Sequence, residues 1–162
     1  MAFDNTVLAE SAGLGSGELL PNTNGLTLAH PTFEDGLIQG RFVKFDTGSV
    51  DNLDGSATPQ IAGISRRLIS GSIGTVVYKN TGAVIDTAAE VISTGLATVD
   101  VVTGQTPTKY GKVYAVNASG SGANFGKATT VATDNVDTGW VFWDNNGKAN
   151  DVWLIAKKEL VS

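Results

Sequence analysis

Residues 140–158 read WVFWDNNGKANDVWLIAKK. Two apolar runs flank a polar stretch rich in Asn and Gly, the pattern of two antiparallel strands joined by a turn. With a side-chain period of two, Trp140 and Phe142 point to one side of the first run, and Val141 and Trp143 to the other. The second run repeats this, with Val152, Leu154 and Ala156 opposing Trp153 and Ile155. A strand pair that is apolar on both faces must be covered twice, once by its own core and once by something else. The expectation is that one face meets a partner subunit.

Moving outward, the chain from Arg41 onward is a series of short alternating segments punctuated by Gly, Asn and Asp. Candidate strands are RFVKF (41–45), IAGIS (61–65), TVVYK (75–79), AEVIS (89–93), LATVDVV (96–102), KVYAV (112–116), KATTV (127–131), WVFWD (140–144) and VWLIAKK (152–158). Their close spacing leaves no room for helical crossovers. In LATVDVV, Ala97, Val99 and Val101 alternate with Thr98 and Asp100, which predicts one buried face and one wet face. Only 17% of residues are charged, and helix-forming runs of Leu, Glu, Lys and Arg are absent. The predicted fold is all-β: an antiparallel β-sandwich or barrel of short strands with an extended N-terminal arm. Residues 12–36, AGLGSGELLPNTNGLTLAHPTFEDG, carry only small apolar islands at Leu19, Leu20, Leu26 and Leu28. That divides the chain into an arm (1–36) and a β domain (37–162), the islands docking the arm on its own barrel or on a neighbour.

A length of 162 residues with 41% hydrophobic content supports one core. The net charge of −5 comes with no concentrated basic surface, which argues against nucleic acid as the partner. With no cysteine, disulfides, thiolate metal sites and cysteine nucleophiles are all excluded. The acidic opening MAFDNTVLAES lacks the cationic and apolar regions of a signal peptide, and no apolar run is long enough to span a membrane. The expectation is synthesis in the cytoplasm and no membrane partner.

Asp46-Thr47-Gly48-Ser49 and Asp137-Thr138-Gly139 look like the paired turns of a bilobal aspartic protease, in which two aspartates share a proton. One small sheet domain cannot supply two lobes, and bulky Trp140 follows the second triplet. Asp-Thr-Gly is also ordinary turn chemistry, since Asp accepts local N–H bonds and Gly takes positive φ. Asn52 to Gly55 and Asp144 to Gly147 resemble fragments of calcium loops but lack the alternating ligands and distal Glu, so they read as turns. The glycine clusters at 13–17 and 120–122 complete no phosphate-binding fingerprint. Asn117-Ala118-Ser119 fits the glycosylation sequon. His30 is the single histidine, so neither a multi-histidine metal site nor a serine triad with a spare base can be assembled. No catalytic residue, cofactor or metal is expected. The aromatics Trp140, Phe142, Trp143 and Trp153 read as packing or as a sugar-stacking platform.

The order of segments resembles the cement, or decoration, proteins of tailed-phage capsids. The resemblance lies in Gly36-Leu37-Ile38-Gln39-Gly40-Arg41-Phe42-Val43, then Ile61-Ala62-Gly63-Ile64-Ser65-Arg66, then Tyr78 to Val84. It continues through Tyr110-Gly111-Lys112-Val113-Tyr114 and the closing hairpin from Thr138 to Lys158, covering about the last three quarters of the chain. It implies a virion protein on the capsid exterior that cements adjacent major capsid subunits and self-associates as a trimer or dimer. Candidate interface residues are then Leu19, Leu20, Leu26, Leu28, Trp140, Phe142, Trp143 and Trp153. The alternative is a carbohydrate-binding β-sandwich adhesin of a virion or cell surface.

Overall fold

The computed structural model describes residues 16–20, 25–31, 37–66, 88–143 and 151–160. The candidate strand at 75–79, the 144–147 turn and the remainder of the arm lie outside the described residues. Among the described residues ten strands form two antiparallel sheets of five. The first sheet holds β1 (Leu26–Pro31), β2 (Phe42–Asp46), β3 (Ser49–Asn52), β4 (Ile61–Ser65) and β5 (Ala88–Thr94), in the order β1-β5-β4-β2-β3. The second holds β6 (Leu96–Asp100), β7 (Lys112–Ala115), β8 (Ala128–Thr129), β9 (Val136–Phe142) and β10 (Val152–Lys157), in the order β6-β10-β9-β7-β8. The chain passes from one sheet to the other across Gly95 alone. Its φ of +112° suits glycine, and a Cβ there would stand 2.6 Å from the Gly25 Cα.

The sheets face each other across the main core. Phe42, Ile64 and Ile92 of the first meet Val99, Val113, Trp140, Phe142, Trp153 and Ile155 of the second. The predicted alternation is realised: Val43 and Val91, neighbours of Phe42 and Ile92, join Leu37 and Val50 on the outer face of the first sheet. Likewise Leu96, Leu154 and Ala156 gather on the outer face of the second sheet, with Trp143 packed against them. Arg41 joins the layers, its guanidinium donating to the carbonyls of Ala123 at 2.7 Å and Phe125 at 3.1 Å.

The reading of LATVDVV needs one correction. Thr98 is buried, because residues 17–20 run along β6 as an added strand. Gly17 N–H donates to Thr98 O, Leu20 N–H to Leu96 O and Thr98 N–H to Glu18 O, each at 2.9 Å. The Thr98 hydroxyl is satisfied there too, accepting from Glu18 N–H at 2.9 Å. Leu20, 3% exposed, seals the outer apolar cluster. The second apolar face of the hairpin is thus covered, at this point, by the chain's own N-terminal segment. Further along, Val101 bridges Ala128 and Val102 N–H donates to Ala128 O at 3.0 Å, so β8 returns to the end of β6. In the first sheet the two edge strands, β1 and β3, approach within 8 Å between Cα atoms, which curls it toward a barrel. Neither β1 nor β3 was among the predicted strands.

Candidate functional site

The two Asp-Thr-Gly triplets sit on different sheets and serve local backbone geometry. Asp46 closes β2 and its Oδ1 accepts Thr47 N–H at 2.7 Å, while Gly48 takes φ +76° in the turn to β3. Asp137 to Gly139 form a bulge in β9, where the register against β7 slips between Val113 and Tyr114. There Asp137 accepts Gly139 N–H at 3.0 Å, and the Thr138 hydroxyl donates to Val113 O at 2.7 Å. The Gly139 N–H bond, then the Lys112 ammonium at 2.9 Å, hold the Asp137 carboxyl below the usual carboxylate range.

The calcium-like fragment at 52–55 holds a lysine. Lys44 Nζ lies 2.8 Å from Asp54 Oδ2, and the Ser56 N–H donates to Asp54 Oδ1 at 2.9 Å. These bonds lower the Asp54 pKa to about 2. Asn117 of the sequon is buried, accepting from Gly55 N–H at 3.0 Å and donating to Ser56 O at 2.8 Å, so its amide is structural. Among the described residues no group of three or more His, Asp or Glu could hold a metal ion. His30 lies in β1, with its side chain outside the described part.

The eight apolar candidates separate by burial. Trp140, Phe142 and Trp153 are enclosed in the main core, where Phe142 and Trp153 meet edge-to-face at 6.0 Å. Leu20 is buried and Leu19 is half-buried against the same core. This places five of the eight in the packing of the protomer itself and removes the three core aromatics from any sugar platform. Leu26 and Leu28 remain 50% and 40% exposed on β1, and Trp143 is half-buried.

Among the described residues three further large apolar side chains are exposed: Phe45, Tyr110 and, just beyond β8, Val131. Phe45, paired with Val50, stands on the outer face of the first sheet, the face that Leu28 shares through its pairing with Val91. Tyr110, 54% exposed, meets the Trp143 ring edge-on at 6.1 Å on the outer side of the second sheet. The alternation of RFVKF could have flagged Phe45. Tyr110 sits inside a turn that no period reveals.

A sandwich with its polar motifs spent on turns and its apolar surface on two outer faces has the makings of a binding protein. The chain matches the model of the XM1 gp53 minor capsid protein family over residues 12–157. It belongs to that family. A chain in a structure of the capsid of Myoviridae phage XM1 is 47% identical, covers 97% of this chain and 98% of its own length, and superimposes with a TM-score of 0.75. No curated protein matches. As a member of the XM1 gp53 family, the protein is a structural, capsid-associated component of the virion, consistent with the resemblance of its segments to phage capsid proteins.

Proposed function

We propose that this minor capsid protein binds the outside of a tailed-phage shell and cements adjacent major capsid subunits, by adhesion and without catalysis. The observation that carries the reading is accessible apolar surface on both outer faces: Leu26, Leu28 and Phe45 on the first sheet, Tyr110 and Trp143 on the second. A bridging protein needs two contact surfaces. Weak contacts suffice once several copies are tethered to one lattice, because each further contact forms at high effective concentration. In this proposal the arm (1–36) is anchored through residues 17–20 and 26–31, and copies meet as trimers or dimers about the symmetry axes of the shell.

The test is cryo-electron microscopy of particles with and without the protein, paired with their thermal rupture. Density bridging neighbouring shell subunits from outside, together with a higher rupture temperature, is the expected result. Density confined to the inner surface, or particles equally robust without the protein, would sink the proposal.

A further inference from the structure

We propose that the outer face of the second sheet docks on an acidic segment of a shell subunit, with Tyr110 and Trp143 as the apolar contact and Lys109 and Lys112 as the charge. This rests on the capsid-binding reading above. The starting point is the backbone of Tyr110. Thr108 to Gly111 form a turn in which Gly111 N–H donates to Thr108 O at 2.9 Å. Tyr110 occupies the third position with φ +62°, where turns of positive φ ordinarily carry Gly or Asn.

The strain cannot relax by moving the turn. Tyr110 N–H donates to Phe142 O at 2.6 Å, and Phe142 N–H donates to Gly111 O at 2.9 Å, so the turn is zipped to the end of β9. At Gly111 even a Cβ would stand 2.9 Å from Thr108 O. The result of this constraint is an aromatic ring held out in solvent, in edge contact with Trp143 and with the Lys109 ammonium 5.1 Å from its centroid. Burial in the fold does not explain why a bulky residue occupies a glycine position. Strain over-determined by its surroundings marks functional positions, and Tyr and Trp dominate the energetics of protein interfaces.

The partner's chemistry follows from charge. The whole chain carries −5. Yet Lys109 and Lys112 stand beside the Tyr110 turn, Lys112 pairing with Val141 in the register of β7 and β9. Among the described residues the carboxylate ion-paired with them is Asp137, 2.9 Å from Lys112. A local cationic surface on an acidic protein selects an acidic partner, which guides encounter and sets register.

The experiment adds the full-length protein to shells that lack it and measures retention against salt concentration. The variants are Tyr110→Asn, Lys109→Glu and, on the opposite outer face, Phe45→Ser. Asn is at ease at positive φ, so Tyr110→Asn removes the ring while keeping or raising the melting temperature. The expected result is that wild-type binding weakens with salt and Tyr110→Asn binds about tenfold or more weakly. Lys109→Glu, on an exposed side chain whose ammonium lies against the Tyr110 ring, should weaken binding as well. Wild-type retention by Tyr110→Asn and Lys109→Glu overturns the inference, and loss in Phe45→Ser alone would move the contact to the first sheet with cementing intact. Failure of the wild type itself to bind overturns the capsid-binding reading and this inference with it.

Discussion

Trp153→Ala should unfold the protein before it disturbs any assembly. The indole is 8% exposed and lies in the main core, edge-on to Phe142 at 6.0 Å and 77°. Its strand, β10, is hydrogen-bonded to β6 on one side and β9 on the other. The backbone is therefore held on both flanks and cannot collapse into the space left behind, which favours the upper part of the usual cost of about 3–5 kcal/mol for a large aromatic truncated to alanine. Of that, the edge-to-face contact contributes about 0.5–1.5 kcal/mol, measurable as the coupling in a double-mutant cycle with Phe142→Leu. At roughly 2–4 °C per kcal/mol for a domain of this size, the melting temperature should fall by roughly 6–20 °C. Urea unfolding followed by far-UV circular dichroism, at an unchanged m-value, gives the free energy directly. A loss below about 1.5 kcal/mol, with the variant folded but altered in oligomeric state or shell retention, would refute the core assignment and put the indole at an interface. Half-buried Trp143 is the contrast: its truncation should cost only about 1–2 kcal/mol and leave a folded protein.

Asp46→Asn and Asp137→Asn should leave shell binding intact and each cost no more than a turn bond, about 0.5–1.5 kcal/mol by chemical denaturation; lost binding at unchanged stability would expose a site. The Asp54 pKa is lowered from 3.8 to about 2, so its contribution is present above the unfolded value and disappears as pH falls through the folded one. The shift corresponds to about 2.4 kcal/mol, and with the Asp54 side chain 57% exposed, solvent screening reduces it to about 1 kcal/mol or less. Asp54→Asn should therefore be less stable than wild type near pH 5 and equal to it near pH 2, and a deficit independent of pH would contradict the assignment. Gly63→Ala should cost at least about 2 kcal/mol, since φ is +154° and a Cβ would stand 2.3 Å from Ile92 O; a melting curve matching the wild type would disprove that steric argument.

Much of the sheet content was legible because burial on alternate positions leaves a period of two. IAGIS spans the same residues as β4, and the division of Trp153 and Ile155 from Leu154 and Ala156 was read from alternation, though not which set faces the core. The strands that escaped have no such imprint. SVDN of β3 is largely polar, and LTLAHP of β1 sits at an edge of its sheet among the described residues, where Leu26 and Leu28 are exposed. The second apolar face of the hairpin was visible, but not what covers it. Leu20 reaches that face from more than a hundred residues away in sequence, through backbone bonds that any residue except proline can make. The candidate surface was the least legible part, because Tyr110 owes its exposure to a backbone angle imposed by pairing with Phe142.

The way the strand edges are finished bears on how such a protein can be adhesive without aggregating. An open strand edge accepts almost any extended chain, because its backbone bonds carry no side-chain selectivity. Here β6 is paired by residues 17–20 along its first half and by Ala128 at its end, while β1 and β3 draw together at the margins of the first sheet. What stays accessible among the described residues includes side-chain surface in separate clusters: Leu26, Leu28 and Phe45 on one face, Tyr110 on the other. Small apolar patches of that kind are tolerated by a protein in solution and become strong contacts only where the opposing surface has the matching shape and charge. Closing the β6 edge while leaving small patches open shifts recognition from the backbone, which is the same in every protein, to side chains, which are not. A protein acting on a lattice of identical sites requires that shift, because promiscuous pairing between its own copies would compete with binding to the shell.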